Sequence, residues 1–520
     1  MPKVYFEYME ADGASLYTVI CLPNGTDRFP VILYRSPYVD AERDMPDREL
    51  CDAVLARNAS WVDAGYAVVW QHCRGRGKST GDCIPYIYER EDGLCLQEFV
   101  RTKPFYSGEL FLCGGSYTSS VHYVTAPFAP DVKGAILEVQ DCERYNCNYR
   151  NGFYKSGLHG EWYMKMYKRN SMPQKSFTRD SYLTLPLSDL SKIATGEKIA
   201  DFDAILHHPR RDDPFWRTRY GGGEAHDAVK HANIPILFTT GFYDIYTGGI
   251  FDLWNGLDDE TRKKCALLVH PYDHGGTPDK QPVAFENGKL SEAFPDFKRR
   301  WLDAVRGKCD FPAERGLVTY YGLFENAWHT DDFAPPEETL TFPLGTGDVT
   351  YTYNPYAPAS FRGGLSANFG GTAYQDPPNS RYDIRSCYTP AFEADTFIKG
   401  KMSASLTVRS TAEDTCFYLR ISLETSEGDY GLRDDITQIS NVAPDYVPGD
   451  TVTLDFSFDE HAFLVKKGQR LRIDISSSAY PHYVRHTNRR GLFCEQTSAV
   501  SADNTVLLGR STLTLRVSRT

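Results

Sequence analysis

The chain has 520 residues, of which 41% are hydrophobic and 24% are charged, as in ordinary globular proteins. This length exceeds what one hydrophobic core usually supports, so we expect two or three domains. The formal net charge of −12 argues against nucleic acid or an anionic membrane as a partner, because both attract basic surfaces.

The N-terminal residues lack the basic and then apolar pattern of a secretory signal, and no stretch of about 18 apolar residues follows. We therefore expect a cytoplasmic protein that binds no membrane. The thirteen cysteines are an odd number, spread from Cys21 to Cys494, which favours free thiols. Cys142 and Cys147 lie close together without a second Cys or His pair, so no metal site is predicted.

The first part of the chain has the pattern of an α/β domain. Residues 30–34, 66–70 and 134–137 are apolar at nearly every position and alternate with helical-period segments such as 49–65. Strands of this kind, separated by helices, predict a parallel sheet covered on both faces. Residues 234–239 and 265–269 read as later strands of the same sheet.

Two regions depart from this pattern. Residues 142–230 are rich in Tyr, Trp, Lys and Arg, contain the helix-like stretch 160–168 and have no clear strand, which predicts a helical cap inserted between two parts of the sheet, 1–141 and 231–309. From residue 310 to 520, short alternating strands punctuated by Pro, Gly, Asn and Asp predict a β-sandwich or jelly roll. Those strands are expected at 317–321, 403–408, 417–423, 451–456, 471–475 and 511–517.

The segment 110–117 carries an apolar strand directly into Gly114, Gly115, Ser116 and Tyr117. A serine on a sharp turn between a strand and a helix is lifted out of the sheet, where it can act as a nucleophile. The usual Gly-x-Ser-x-Gly pattern is incomplete, because Thr118 stands at the last glycine. From these residues alone, a nucleophile and an ordinary strand-to-helix turn are equally good interpretations.

A serine nucleophile needs a base and a carboxylate that orients the base. Asp244 follows the strand at 234–239, and His274 follows the strand at 265–269, in the chain order Ser, Asp, His of α/β-hydrolases. We therefore predict a triad of Ser116, Asp244 and His274. His270 is the competing base, but His274 precedes two glycines and suits a mobile loop better.

The motifs together resemble those of the cocaine esterase/NonD hydrolase family, which is related to X-Pro dipeptidyl-peptidases and α-amino-acid ester hydrolases. The similarity covers nearly the whole chain. It is carried by Arg35-Ser36-Pro37-Tyr38, Arg74-Gly75-Arg76-Gly77-Lys78-Ser79-Thr80-Gly81, Gly114-Gly115-Ser116-Tyr117, Gly241-Phe242-Tyr243-Asp244 and Pro271-Tyr272-Asp273-His274-Gly275. In the β region it is carried by residues 353–355, 362–364 and 467–478.

The resemblance implies an α/β-hydrolase with a cap and a C-terminal jelly roll, which cleaves a small-molecule ester without a cofactor. It also implies an oxyanion hole formed by the phenolic hydroxyl of Tyr38 and the backbone N–H of Tyr117. Two residues depart from the family pattern. Ser119 replaces a glycine in the first turn after the nucleophile, and His72 stands where relatives carry an aspartate.

The substrate is less well defined. Asp244 is followed by Ile245, Tyr246 and Thr247 rather than by acids that would hold a substrate ammonium, so an aromatic acyl pocket with Tyr246 and Trp162 is expected. Trp162 could instead pack within the cap. The basic cap residues Arg144, Arg150 and Lys155 could attract a substrate carboxylate or lie in solvent.

Three hypotheses for the function remain open at this point. The first is an esterase, and the second is an amidase, acylase or X-Pro-type peptidase that uses the same triad. The third is a catalytically inactive protein that binds a ligand through its jelly roll. The expected partner is a small-molecule ester or amide, with a homodimer as a possible assembly.

Overall fold

The computed structural model describes residues 2–25, 28–167, 178–218, 223, 228–276, 282–365 and 373–519. The predicted cap region 142–230 therefore lies partly outside the described residues. The helix-like stretch 160–168 is described as far as residue 167.

The described residues up to position 140 form six strands and four α-helices. The strands are β1 (Lys3–Ala11), β2 (Ala14–Leu22), β3 (Phe29–Ser36), β4 (Ala67–His72), β5 (Tyr106–Gly115) and β6 (Val132–Glu138). The helices are α1 (Asp47–Arg57), α2 (Ala59–Asp63), α3 (Glu89–Arg101) and α4 (Tyr117–Tyr123). Strands β3 to β6 pair in parallel, whereas β1 and β2 form an antiparallel hairpin that joins the sheet through β4.

The described part of the cap consists of short elements. They are α5 (Arg144–Asn148), β7 (Tyr149–Arg150), β8 (Phe153–Tyr154), α6 (Glu161–Met166), α7 (Leu190–Thr195) and α8 (Ala200–His207). The β7–β8 hairpin was not predicted, because two-residue strands are too short to produce an alternating pattern. Buried aromatic rings, including Tyr149, Tyr154, Tyr163 and Trp216, form the core of this region.

The chain then returns to the first sheet. It adds β9 (Ile236–Tyr243), α9 (Thr247–Gly256), α10 (Asp259–Arg262), β10 (Ala266–Asp273), α11 (Leu290–Ala293), α12 (Phe297–Val305), β11 (Val318–Gly322) and β12 (Ala327–Asp331). The order across the ten-stranded sheet is β1-β2-β4-β3-β5-β6-β9-β10-β11-β12. Every residue of β9 and β10 is buried, as the uninterrupted apolar runs predict. The carboxyl ends of β5, β9 and β10 meet at one edge, where ligands bind in sheets of this type.

One predicted strand belongs to a different sheet. The sequence assigned residues 317–321 to the C-terminal domain, but β11 pairs in parallel with β10 and extends the first sheet. The first sheet therefore continues to Asp331, beyond the predicted boundary at 310. A short apolar strand carries no information about which sheet it joins, and that is decided by tertiary pairing.

The remaining strands form two antiparallel sheets, which makes this a C-terminal β domain. They are β13 (Glu338–Pro343), β14 (Asp348–Tyr353), β15 (Arg385–Tyr388), β16 (Thr396–Gly400), β17 (Ser403–Ser410), β18 (Cys416–Thr425), β19 (Gly428–Gln438), β20 (Val452–Ser457), β21 (His461–Val465), β22 (Leu471–Ser476), β23 (Ala502–Leu507) and β24 (Thr512–Arg519). The larger sheet runs β14-β23-β17-β24-β16-β21, with β13 on β24 and β20 on β17. The smaller sheet runs β15-β22-β18-β19.

The β domain is attached to the α/β domain and the cap by specific contacts. The Leu323 N–H donates to the Ala462 carbonyl at 3.0 Å, and the Leu464 N–H donates to the Leu323 carbonyl at 2.9 Å. In the cap, Arg150 forms ion pairs with Asp435 at 2.7 Å and Asp459 at 2.6 Å. Within the described ranges, no helix combines the length and the apolar character needed to cross a membrane.

Candidate active site

Ser116 lies between the last residue of β5 and the first residue of α4. Its backbone has a conformation typical of a tight turn. Its φ of 57° and ψ of −133° are unusual for a residue with a side chain. Gly114 allows this turn, because a Cβ there would lie 2.0 Å from the Thr118 carbonyl oxygen. The strand therefore ends in a strained turn that presents the Ser116 hydroxyl above the edge of the sheet.

Ser119 does not face the substrate side of this turn. It is fully buried, its hydroxyl donates to the Gly114 carbonyl at 2.6 Å, and its oxygen accepts the Glu138 N–H at 2.9 Å. The residue that replaces the family glycine thus connects β5, β6 and α4 directly beneath the serine.

The structure brings the three predicted triad side chains together. His274 Nε2 lies 3.0 Å from Ser116 Oγ, and His274 Nδ1 lies 2.9 Å from Asp244 Oδ1. Asp244 and His274 directly follow the last residues of β9 and β10. The Asp244 carboxylate accepts a hydrogen bond from the Nδ1–H group of His274. Nε2 is then unprotonated and can accept the proton of Ser116.

The surroundings of Asp244 and His274 favour this arrangement. Asp244 is fully buried, and its two oxygens also accept the Tyr246 N–H and the Thr240 hydroxyl, both at 3.2 Å. Burial alone would lower the pKa of His274, but the charge and the hydrogen bond of Asp244 outweigh burial and raise it above its ordinary value.

His270, the competing base, has a different environment. Its Nδ1 accepts the Tyr272 N–H at 3.2 Å, and the side chain is buried. Burial lowers the pKa of His270 to about 4, so this imidazole is neutral at physiological pH. It is His274, not His270, that contacts both Ser116 and Asp244.

The predicted oxyanion-hole residues are adjacent to the serine. The Tyr38 hydroxyl lies 3.5 Å from Ser116 Oγ, beside the indole N–H of Trp162 and the backbone N–H of Tyr117. Although 46% of the residue is exposed, its hydroxyl lies among protein groups, and this burial raises the pKa of Tyr38. The phenol is therefore protonated near neutral pH and can donate a hydrogen bond.

Aromatic rings surround the two predicted pocket residues. The Tyr246 ring lies 5.6 Å from the His274 ring, and the Trp162 ring lies 5.6 Å from the Tyr117 ring. Tyr86 was not predicted, although its ring centroid lies 4.7 Å from that of Tyr117 and 5.9 Å from that of Trp162. Tyr86 lies in a loop with positive φ, and no periodic pattern marks it in the sequence.

Beneath the site, the family motif residues Arg35 and Arg74 act as structural cations. Arg35 pairs with Glu89 at 2.8 Å, and Arg74 binds both oxygens of Asp92. Glu89, which was not predicted, also accepts the Tyr117 hydroxyl at 2.7 Å. This network holds the side chain of Tyr117, the first residue of α4, whose backbone N–H is the second predicted oxyanion-hole donor.

His72 has its own carboxylate partner. Its Nδ1 accepts the Lys78 N–H at 3.1 Å, so Nε2 carries the proton that binds Glu42 at 3.0 Å. Burial would raise the pKa of Glu42, but its bonds to His72 and Arg57 outweigh this and lower it. At the position where the family resemblance implies an aspartate, the chain thus has a histidine that pairs with Glu42.

The three basic cap residues have different environments. Arg150 is ion-paired with the β domain, and Lys155 donates to the Asn146 carbonyl at 2.6 Å. Arg144 lies with its guanidinium carbon 3.7 Å above the Tyr86 ring. Among the described residues, no group of three His, Cys, Asp or Glu side chains could hold a metal ion.

Comparison with protein families agrees with this architecture. The model of the X-Pro dipeptidyl-peptidase S15 family matches residues 12–276, and the model of the X-Pro dipeptidyl-peptidase C-terminal non-catalytic domain matches residues 314–514. The chain belongs to the S15 family. It is a serine hydrolase with an α/β-hydrolase domain and the family's C-terminal β domain.

Among characterised proteins, the chain is similar to cocaine esterase from Rhodococcus sp. strain MB1 Bresler, with 22% identity over 93% of this chain and 92% of the relative. Two solved structures share its fold over 99% of the chain. An α-amino acid ester hydrolase has a TM-score of 0.82 at 17% identity and 97% coverage of its own chain. An aminopeptidase from a marine sediment Thaumarchaeota archaeon has a TM-score of 0.81 at 18% identity and 96% coverage.

Proposed function

We propose that this enzyme hydrolyses a carboxylic ester of a small molecule through an acyl-enzyme on Ser116. The observation that carries the proposal is the continuous hydrogen-bonded chain from Ser116 through His274 to Asp244, at 3.0 and 2.9 Å. An ester is favoured because the related cocaine esterase and α-amino acid ester hydrolase are named for ester cleavage.

In the proposed first step, Ser116 Oγ attacks the ester carbonyl while His274 Nε2 takes the serine proton. The charge that develops on the carbonyl oxygen is stabilised by the Tyr38 hydroxyl and the Tyr117 N–H. His274 then protonates the departing alcohol, and the acyl group stays on Ser116. Water activated by the same imidazole releases the acid and restores the serine.

Labelling of Ser116 tests this proposal directly. A fluorophosphonate probe should label the wild type and fail to label Ser116→Ala. Ser120→Ala is the matched control, because Ser120 is a nearby serine, buried in α4, whose hydroxyl has no hydrogen-bond partner among the described residues. Absence of labelling in the wild type would refute the enzyme proposal and favour the inactive binding protein.

An amidase or X-Pro-type peptidase is the second candidate, and the S15 family match favours it. Against it, the residues after Asp244 are Ile245, Tyr246 and Thr247, which offer no carboxylate for a substrate ammonium. p-Nitrophenyl butyrate and butyryl p-nitroanilide distinguish the candidates, together with an X-Pro p-nitroanilide. We expect faster ester turnover, and anilide turnover far above it would establish the peptidase or amidase.

A cytoplasmic location is proposed on the state of the cysteines. All thirteen are free thiols, as in proteins kept in a reducing compartment. Fractionation of the native host should recover the protein with the cytosolic fraction. The homodimer stays a prediction, which analytical ultracentrifugation would test.

A further inference from the structure

Arg144 is a buried cation that has no counter-charge among the described residues. The residue is only 5% exposed, and its Nε and Nη1 atoms are buried with no hydrogen-bond acceptor among the described residues. Arginines of similar burial have acceptors: Arg35 pairs with Glu89 at 2.8 Å, and Arg420 pairs with Asp434 at 3.1 Å. Arg433 and Arg485 donate to backbone carbonyls instead. Burial of a guanidinium without an acceptor is costly, so residues of this kind usually bind a partner of opposite charge.

A short chain of contacts connects Arg144 to the nucleophile. Its guanidinium carbon lies 3.7 Å above the ring of Tyr86, whose centroid is 4.7 Å from that of Tyr117, the residue after Ser116. The same Tyr86 ring contacts Trp162, whose indole N–H lies beside the Tyr38 hydroxyl. The Arg144 guanidinium therefore lies on the cap side of the aromatic rings of Tyr86, Tyr117 and Trp162, which are next to Ser116.

The π face of Tyr86 stabilises only one face of the guanidinium. The N–H groups of a guanidinium point outward in its plane, where they suit the two oxygens of a carboxylate. Arg144 thus has two N–H groups, on Nε and Nη1, that no acceptor among the described residues uses.

The carboxylates of the cap and the β domain near Arg144 have other partners. Asp141 is buried and faces Asn146 and Lys155, and Glu143 pairs with Arg211 at the surface. Asp435 and Asp459 pair with Arg150. None of these carboxylates lies within ion-pair distance of Arg144 in the described part of the chain.

We propose that Arg144 binds a carboxylate of the substrate, so that the enzyme prefers esters carrying an anionic group away from the scissile bond. This inference rests on the proposed esterase function and defines its substrate class. Arg144 is thus a specificity-determining residue, whereas Ser116, His274 and Asp244 perform the chemistry.

Matched ester pairs test the preference. p-Nitrophenyl hemiglutarate carries the carboxylate in the acyl part, and its neutral counterpart is p-nitrophenyl pentanoate. 4-Carboxyphenyl butyrate and phenyl butyrate place the carboxylate in the leaving group. We expect kcat/KM to be about 10- to 100-fold higher for the anionic member of at least one pair, as for a hydrogen-bonded charge pair.

Arg144→Gln should remove that preference while changing kcat/KM for the neutral esters by less than about threefold. Arg144→Lys should retain part of it, because the charge remains and the planar fork is lost. Arg211→Gln is the matched control: it removes a cap cation that already pairs with Glu143, and it should leave the preference unchanged.

Fluorophosphonate labelling distinguishes failure of the Arg144 inference from failure of the proposed esterase function. Normal labelling and neutral-ester turnover without a carboxylate preference would overturn this inference alone, as would an equal loss on both ester types in Arg144→Gln. A preference for esters bearing an ammonium or a phosphate group would also overturn it. Absence of labelling would overturn the proposed function.

If labelling is absent, a binding measurement still tests whether Arg144 binds a carboxylate. Calorimetry on Ser116→Ala should detect monoethyl glutarate, and the Ser116→Ala/Arg144→Gln double variant should bind it at least about tenfold more weakly. Equal affinity in the two variants would contradict the inference whether or not the enzyme hydrolyses esters.

Discussion

The oxygen of Ser119 accepts the backbone N–H of Glu138 at 2.9 Å, so a side chain of α4 completes the hydrogen bonding of strand β6. The same hydroxyl donates to the Gly114 carbonyl of β5 at 2.6 Å. One residue thereby connects both strands to the helix that follows the nucleophile. This explains why a serine is accommodated where relatives carry glycine.

Ser119→Ala should lower the free energy of unfolding by about 1–3 kcal/mol, because it leaves the partly buried Glu138 N–H without the Ser119 acceptor. Urea denaturation measures the change. Ser120→Ala is the control and should stay within about 1 kcal/mol, since the Ser120 hydroxyl is buried but makes no hydrogen bond within the described residues. Equal stability of Ser119→Ala and the wild type would show that these bonds contribute nothing.

The pH dependence of catalysis should reflect the pair formed by His274 and Asp244. In the proposed mechanism catalysis requires neutral His274, and the Asp244 carboxylate raises the pKa of this imidazole. Activity should therefore rise with pH, with an apparent pKa of kcat/KM above about 6.5, the ordinary value for histidine.

Asp244→Asn removes the charge that raises the pKa of His274 and supports the wrong tautomer. We expect kcat to fall by about 10⁴-fold and the acid limb of the profile to move to lower pH. The measurement is kcat/KM for one neutral ester between pH 5 and 9. An acid limb at the same pH in both proteins would show that another group controls the profile.

The triad was predictable because three strong local signals coincide. Each of Ser116, Asp244 and His274 follows a continuous apolar strand, and parallel strands of one sheet bring such ends to one edge. Nothing in their local sequence, by contrast, marks Tyr86 or Glu89. Tyr86 lies in an irregular loop, and Glu89 begins a helix whose acidic first turn is expected on dipole grounds alone.

The environments of the cap cations could not be predicted for a related reason. Arg144 and Arg150 are separated by five residues, yet Arg144 has no ion-pair partner among the described residues, whereas Arg150 binds Asp435 of β19 and Asp459 of the β20–β21 loop. Pairing of this kind depends on how the cap packs against the β domain. Similarly, the pairing of β11 with β10 depends on the path of the chain between them, and an alternating pattern does not encode it.

His72→Asp restores the family residue but should destabilise this protein. It replaces the donor that binds Glu42 with a second carboxylate in the same buried site. We expect a loss of about 1–3 kcal/mol at pH 7.5, measured by urea denaturation. The loss should be smaller at pH 5, because a carboxyl that takes up a proton there relieves the repulsion.

A second substitution controls for this repulsion. In the background His72→Asp, Glu42→Gln removes one of the two charges and should recover part of the lost stability. If His72→Asp is as stable as the wild type at both pH values, Glu42 has not taken over the role of the family aspartate.

Tyr38→Phe should isolate the contribution of the phenolic donor. The hydroxyl lies 3.5 Å from Ser116 Oγ, and Tyr117 supplies the second donor through its backbone, which a side-chain substitution leaves in place. Loss of one oxyanion-hole donor costs about 10²- to 10³-fold in kcat, with little change in KM.

Tyr8→Phe is a suitable control, because Tyr8 has the same 46% exposure and lies in β1, away from the triad. The measurement is kcat and KM for a neutral p-nitrophenyl ester in all three proteins. If Tyr38→Phe changes KM and leaves kcat intact, the tyrosine binds the substrate in its ground state and does not stabilise the oxyanion.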